Sequence, residues 1–472
     1  MTVARYYVDR HPEFHDRAKR ELRTEPSDTD NDDYIAITPY EGPEFPGENE
    51  YQREAPSEAD ETIKYDHSIV SHEFQGAVPD IVLDLVEIAT ATFAVDKIVD
   101  REIKVLEDID ESRLETRNIK LKIPVLTPEM ESEEMEQLYS EMVSHITRDI
   151  IEYEFLHAEP EKTTDHTAKT ADADVVSLLS DGLDSTAGIY HNRSNEVDSH
   201  YATISYGGGI KSKVEEVAEG AGIDHTSYRI TYPDDGELTQ FSRGLLHLTF
   251  GAVDASAKGI QKLRCFENGI MARFLILSEG WMTTRTVSPR FLVYFNKILE
   301  TVLPQPVEVE NPFVDKTKAE IINKIPETGL VRNTISCPHN TGYGKKNCGL
   351  CVPCIIRNIG IIASDHQIPL DEQSAYNGLL LGDFEDQTWE REIAGRTSPS
   401  ASSPEIFYRG CAEVAYFCRR ILEEEPRELA DEYPELLDKA VYEQHRRFAD
   451  NFMNAIDQVA EQNPSIQLLQ RT

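Results

Sequence analysis

The sequence predicts an α/β protein: a doubly wound parallel sheet, preceded by an amino-terminal α+β domain and followed by a mainly helical region. Three observations predict it. The chain has 472 residues, more than one hydrophobic core accommodates, so about two or three domains are expected. From Val175 onward, short apolar runs alternate with helix-period segments, the rhythm of βαβ units. The first of those runs, Val175 to Leu179, passes through Ser180-Asp181-Gly182-Leu183-Asp184-Ser185-Thr186 into a plausible helix start. Sheets of this kind bind ligands at the carboxyl ends of their strands, where this stretch sits.

In chain order, residues 1–158 read as the α+β accessory domain. Within it, about residues 21–66 are acidic, rich in Pro and Gly and poor in periodic apolar residues, a flexible segment with a short strand at Tyr34–Thr38. Leu85, Ile88, Thr92, Val95 and Val99 fall at helical spacing. Ile119, Leu121, Ile123 and Val125 alternate, as do Ile151, Tyr153 and Phe155, so both stretches read as strands, joined by a helix from about Glu131 to Arg148. This domain shows no cluster at chemical spacing and reads as a scaffold or partner-binding unit. A polar linker, Glu159 to Asp174, leads to the sheet domain, residues 174–362. Tyr201–Tyr206, Thr226–Thr231 and Leu263–Phe266 read as its further strands, and Ser212–Glu219 and Phe241 to Ala252 as helices. In residues 363–472, an exposed loop from Arg396 to Pro404 precedes helical patterns at Phe407 to Ile421 and Tyr442 to Val459.

Composition limits the function. There are 86 acidic against 47 basic residues, a formal net charge of −39. That balance argues against a broad nucleic-acid face, which needs Lys and Arg to replace counterions. The excess is spread along the chain, as on the solvated surface of a protein from a salt-rich, halophilic cytoplasm. No apolar run reaches the roughly 18 residues of a membrane span. The start, Met1-Thr-Val-Ala-Arg-Tyr-Tyr-Val, turns polar at once, unlike a signal peptide. The expected compartment is therefore cytoplasmic. Seven cysteines, an odd count with one tight cluster, suit a metal site in a reducing compartment better than a disulfide framework.

The candidate chemistry lies in five places. A strand, a tight turn and a helix start make Ser180 to Thr186 a candidate phosphate cradle, because amides point outward and the helix dipole favours anions; the competing reading is an Asp-Gly turn entering a capped helix. Cys337, Cys348, Cys351 and Cys354 have the spacing of a tetrathiolate zinc site, with iron–sulfur ligation the competitor. Gly344 and Gly349 supply turns there, Lys345, Lys346 and Arg357 offset the charge, and His339 is a bystander. Glu267 and Asn268, after a predicted strand, are candidates for orienting a polar ligand, and Thr284 and Arg285 offer a hydroxyl and a guanidinium to a carboxylate or phosphate. Thr317 and Glu320 form a capping box, with Lys316 and Lys318 at the helix start, where cations oppose the dipole and so suggest an anion to be neutralised. Cys265, Cys411 and Cys418 read as small core residues.

The stretch Ser180 to Ser185 resembles the PP-loop of the N-type ATP pyrophosphatases, Ser-Gly-Gly-x-Asp-Ser, with Asp181 in place of the first glycine. In order, PP-loop, Glu267-Asn268-Gly269, Lys316-Thr-Lys-Ala-Glu-Ile-Ile, Ser336-Cys337 and the cysteine cluster resemble 7-cyano-7-deazaguanine synthase, QueC, over about Val175 to Arg357. The resemblance implies the sheet of the adenine nucleotide alpha hydrolase-like fold, ATP at the loop and zinc on Cys337, Cys348, Cys351 and Cys354. It also implies conversion of a deazaguanine carboxylate with ammonia through adenylated intermediates. An ordinary member is much shorter. The whole chain is more similar to the QueC-like proteins of the Qat anti-phage defence system, the QatC group. Those carry an extra amino-terminal domain, a Ser-Arg helix matched at Ser242-Arg243 and a Thr-Arg-Thr element matched at Thr284-Arg285-Thr286, with Ser288 where a histidine is common.

That resemblance implies ATP-dependent acyl activation. The amides of Gly182 to Ser185 and the hydroxyls of Ser180 and Ser185 would hold the pyrophosphate, with Leu183 and Thr186 completing the loop. Mg2+ would bridge it, with Asp184 as a ligand directly or through water, and Lys316, Lys318 and Arg285 would neutralise charge. Partners implied are a deazaguanine small molecule and a protein of the same defence system that receives it. Two alternatives stay open: tRNA-precursor synthesis of 7-cyano-7-deazaguanine, and a decayed nucleotide-binding scaffold subunit in which the Asp181 carboxylate repels pyrophosphate.

Overall fold

The structure, a computed structural model, describes residues 3–8, 34–39, 61–63, 74–76, 79–99, 103–106, 111–114, 116–157, 166–168, 172–205, 208–229, 241–276, 285–326, 328–337, 347, 351–366 and 404–460. The amino-terminal half runs β1 (Val3–Val8), β2 (Tyr34–Pro39), β3 (Glu61–Ile63), β4 (Phe74–Gly76) and α1 (Asp80–Ile98). A hairpin, β5 (Ile103–Leu106) with β6 (Glu111–Leu114), then leads to β7 (Asn118–Val125), α2 (Glu133–Thr147) and β8 (Ile150–His157). Its main sheet has the order β3-β2-β1-β7-β8, and every pairing in it is parallel. This half is therefore α/β, a correction to the α+β character expected from the sequence. Parallel neighbours need a crossover of a dozen or more residues, which the 15 residues of α2 supply between β7 and β8. The Ser132 hydroxyl caps α2 by accepting from Met135 N, and Arg148 ends it in the left-handed region at φ 63°.

The second half begins with β9 (His166–Ala168), which pairs antiparallel with β4 and lies within the stretch expected to be a plain linker. It continues as β10 (Val175–Leu178), α3 (Leu183–Ser194), β11 (Ser199–Ser205), α4 (Gly208–Ala221), β12 (His225–Arg229), α5 (Arg243–Ala257) and β13 (Lys262–Arg264). Then come α6 (Gly269–Arg273), α7 (Pro289–Val302) and β14 (Glu308–Glu310). The sheet order is β12-β11-β10-β13-β14, again wholly parallel. Both sheets thus repeat one order, third-second-first-fourth-fifth. Their equivalent helices meet: α1 packs on α5, each following the third strand of its sheet, and α2 packs on α7, each following the fourth. The halves are arranged like two protomers of an internal dimer. One apolar core joins them, with Leu85, Val86 and Phe93 of α1, Met142 and Ile146 of α2, Leu245 and Leu248 of α5, and Phe291 and Phe295 of α7.

Beyond β14 lie α8 (Lys318–Ile322), α9 (Thr328–Asn333), α10 (Val352–Ile362), α11 (Pro404–Glu423), α12 (Pro426–Leu429) and α13 (Lys439–Ala460). The last helices pack on α10 and α6 around a second core that includes Ile355, Cys411, Cys418, Phe448 and Phe452. Cys411 and Cys418 are fully buried, and burial drives both thiols far above their ordinary range. They fill space, as does Cys265, whose buried thiol follows β13. Of the expected loop from Arg396 to Pro404, residues 396–403 lie outside the described residues and Pro404 opens α11. Among the described residues, no helix is long and apolar enough to cross a membrane.

Candidate active site

Buried Val175 and Val176 put β10 in the centre of its sheet, and its chain leaves the carboxyl edge through Ser180 to Thr186. Gly182 is the N-cap of α3 at φ −76°, ψ 155°, and no side chain caps the helix. The first-turn amides of an α-helix have no intrahelical acceptor, so this end has donors that an anion can meet. The loop is braced from within. Gly182 N donates to Ser180 Oγ at 3.1 Å, Ser180 N donates to Ser185 Oγ at 3.2 Å, and Thr186 Oγ1 donates to Gly182 O at 2.9 Å. Leu183 contributes backbone only, since its side chain is in a core with Phe313 and Ile321. Asp181 and Gly182 are both outside the left-handed region, so Asp181 occupies the turn without backbone strain. Burial pushes the Asp181 carboxyl up to about 6, against the pull of Arg243 and Lys213.

Asp184 anchors the next layer. Lys318 Nζ donates to its Oδ1 in a buried ion pair, and Asn268 donates to its Oδ2 from both N, at 2.9 Å, and Nδ2, at 3.0 Å. The anion that Lys318 neutralises at its helix start is thus Asp184. Thr317 and Glu320 make the expected capping box, which fixes Lys318 in the first turn of α8. Asn268 also caps α6, accepting from Met271 N at 3.3 Å. Asn311 holds the adjoining backbone, donating to Glu267 O at 2.9 Å and accepting from Glu267 N at 3.2 Å. Glu267 is half-buried as a residue, but its carboxyl is desolvated. Burial, and then the negative charge of Asp184, raise it to about 7, against the opposing pull of Lys318 and Arg243.

Two other described candidates make no side-chain bond to this network. Lys316 is exposed, and its carbonyl accepts from Gly269 N and Gln444 Nε2. Arg285 lies where the charges of Glu435 and Arg290 act on it most, and burial lowers its pKa. Thr284 lies outside the described residues, as do Cys348, His339, Gly344, Lys345, Lys346 and Gly349. Ser288, the position that departs from the pattern, is the N-cap of α7 and accepts from Phe291 N at 3.3 Å.

The cysteines converge. The sulfurs of Cys337, Cys351 and Cys354 lie within 4.8 Å of one another, with Cys337 and Cys351 3.9 Å apart. Four thiolates on one zinc at 2.3 Å sit ~3.8 Å apart, so these three suit a single ion. Cys351 is the N-cap of α10 and Cys354 is in its first turn, where the helix dipole favours thiolate. Arg357, on the same helix, is fully buried. It donates from Nη1 to Thr334 Oγ1 at 2.7 Å and to Ser336 Oγ at 3.3 Å, and from Nη2 to Val331 O at 2.5 Å. Burial lowers it to about 10, while Cys354 and Asp184 pull it upward. The cluster is mechanically joined to the loop: Ile335 N, two residues before Cys337, donates to Asp181 O at 2.8 Å.

Residues 286–364 match the family model of queuosine biosynthesis protein QueC. The match takes in α7, β14, Lys318, α10 and the three converging cysteines, and it begins after the Ser180–Thr186 loop. The chain therefore carries a QueC-like region within an α/β fold. No curated protein matches it. Sequence reasoning did not select Asn311; it named Arg243 within the matched Ser-Arg element without a role, and it set Arg357 beside the cysteines to offset their charge, where the structure has it donating to Thr334, Ser336 and Val331. Arg243 and Arg357 are single cations in helices, and nothing in spacing shows which face of a helix meets a loop.

Proposed function

We propose that the chain is a QueC-like, ATP-dependent enzyme that activates the carboxylate of a 7-deazaguanine by adenylation. The observation that carries this is the uncapped N-terminus of α3, joined through Asp181 O and Ile335 N to the cysteine segment of a QueC-like region. The amides of Gly182 to Ser185 would bind the pyrophosphate portion of ATP. The substrate carboxylate attacks the α-phosphorus and pyrophosphate leaves; an amine then displaces AMP from the acyl adenylate to give an amide or a conjugate with a partner protein, and where the amine is ammonia a second ATP can adenylate the amide oxygen, whose departure as AMP gives the nitrile. Asp184 is the carboxylate that would hold magnesium, exchanging its bond to Lys318 and releasing that ammonium to the phosphates. Glu267, raised to about 7, sits where it can accept or give a proton near neutrality. Cys337, Cys351 and Cys354, completed by Cys348, would hold zinc. Four thiolates leave it no open position, so it acts as a structural pin on the loop.

The anti-phage role and the protein acceptor rest on the extra amino-terminal half and the Ser-Arg and Thr-Arg-Thr elements. Asp181 favours a second reading, a nucleotide-binding scaffold without turnover. Purified protein incubated in high salt with ATP, magnesium, 7-carboxy-7-deazaguanine and ammonia tests the two. AMP together with a nitrile or amide by mass spectrometry supports the enzyme. A deazaguanine adduct on a co-purified protein supports the defence role, and ATP binding without AMP supports the scaffold.

A further inference from the structure

The amino-terminal half reaches the site through two serines. Ser242 precedes α5 and has no cap of its own; instead its N and Oγ donate to Asp96 Oδ2, on the last turn of α1, at 2.9 and 2.8 Å. Ser288, the N-cap of α7, bonds His145 Nε2, on the last turn of α2, at 2.9 Å. The starts of α5 and α7 touch: a Cβ on Gly244 would fall 2.0 Å from Thr286 Oγ1. Both helices therefore begin at the site edge of their sheet, side by side, each met by one residue of the other half.

Asp96 is fixed more firmly than a helix cap requires. Arg117 Nη2 donates to its Oδ1 at 2.6 Å, and Nη1 donates to the carbonyl of Val99 at 2.8 Å. The same guanidinium holds Asp149 Oδ2 from Nε, at 3.1 Å, and Nη2, at 2.6 Å, while Arg117 N donates to Asp149 Oδ1 at 2.9 Å. Arg117 and Asp149 immediately precede β7 and β8. The Asp96 carboxylate, all but buried, is thus set by the strands of one half and placed at the positive end of a helix of the other, where a negative charge is stabilised. The next residue after the capped serine is Arg243, which opens α5 at the carboxyl edge of the sheet; α5 packs on β10, whose chain leads into the loop, and the Arg243 charge pulls both Asp181 and Glu267 downward.

We propose that Asp96 is a positioning residue for nucleotide binding: by clamping Ser242 from across the boundary between the halves, it holds Arg243 toward the loop, and Arg243 binds the phosphates. The amino-terminal half is then a working part of the site, not an appendage. The proposal rests on the ATP reading above.

The test is a double-mutant cycle on the full chain, with affinity for ATP and magnesium in high salt by calorimetry, and urea stability measured alongside. Asp96→Asn and Arg243→Met are each expected to weaken ATP binding by about tenfold, and the double variant no further, because one acts through the other. Ser242→Ala, which leaves the Arg117 cluster intact, is expected to give about threefold and covers a failure of Asp96→Asn to fold. Losses of stability in the two single variants are expected to add, which separates positioning from mere structural support. If the parent chain does not bind ATP, the functional reading fails and this inference with it. If the parent binds but Asp96→Asn and Ser242→Ala match it, or the affinity losses of Asp96→Asn and Arg243→Met multiply, only the inference is overturned.

Discussion

Replacing Glu267 with Gln should make the protein more stable at pH 8. The carboxyl is raised from an ordinary 4.5 to about 7, first by burial and then by the neighbouring Asp184. A folded-state pKa above the unfolded value means that the folded chain holds an extra proton between those two values. The resulting stability is fully present below about pH 4.5 and is lost as pH rises through about 7. Each unit is about 1.4 kcal/mol, so the displacement corresponds to about 3 kcal/mol of stability lost by pH 8. Gln keeps the shape of the neutral acid and has no charge to bury. Glu267→Gln should therefore match the parent near pH 4.5 and exceed it by up to about 3 kcal/mol at pH 8, in urea unfolding at fixed high salt. A variant equally or less stable than the parent at pH 8 would refute the reasoning, because it would mean that Glu267 is paired or solvated rather than crowded against Asp184.

Two further outcomes follow from the same geometry. Asp181 titrates near 6 and is charged above that, so Asp181→Gly should tighten ATP binding on the order of tenfold at pH 7.5 and little at pH 5.5; equal affinities at both pH values would place the carboxylate away from the phosphates. Cys354→Ser should abolish zinc retention by elemental analysis and lower the thermal midpoint, since a structural zinc contributes on the order of 10 kcal/mol at pH 7; full zinc content in that variant would remove Cys354 from the ligand set.

Single elements in both halves are legible in the sequence because their signals are local. The apolar run at Val175, the alternation at Ile119 to Val125 and the helical period at Phe407 to Ile421 each lie within one element, and each is found there. The Thr317 and Glu320 box is legible for the same reason. The parallel sheet of the first half is not. It depends on Val3–Val8 lying between Tyr34–Pro39 and Asn118–Val125, pairings between segments far apart in sequence that no local period encodes. The site divides in the same way. Ser180 to Ser185 and the cysteines are contiguous or closely spaced, whereas Lys318 meets Asp184 across 134 positions and Asp96 meets Ser242 across 146. Charge balance pointed to Lys318 but not to its partner, which is a carboxylate of the loop's own helix rather than a bound phosphate.

The central claim is that an acyl adenylate forms at the Ser180–Thr186 loop. Exchange of labelled pyrophosphate into ATP, in high salt with magnesium and with the amine left out, tests it most directly, because it reads reversal of adenylation before any acceptor is needed. The account predicts exchange that requires 7-carboxy-7-deazaguanine and disappears when Lys318 is changed to Met. Exchange that is absent with the deazaguanine carboxylate, in a protein that binds ATP, would contradict it.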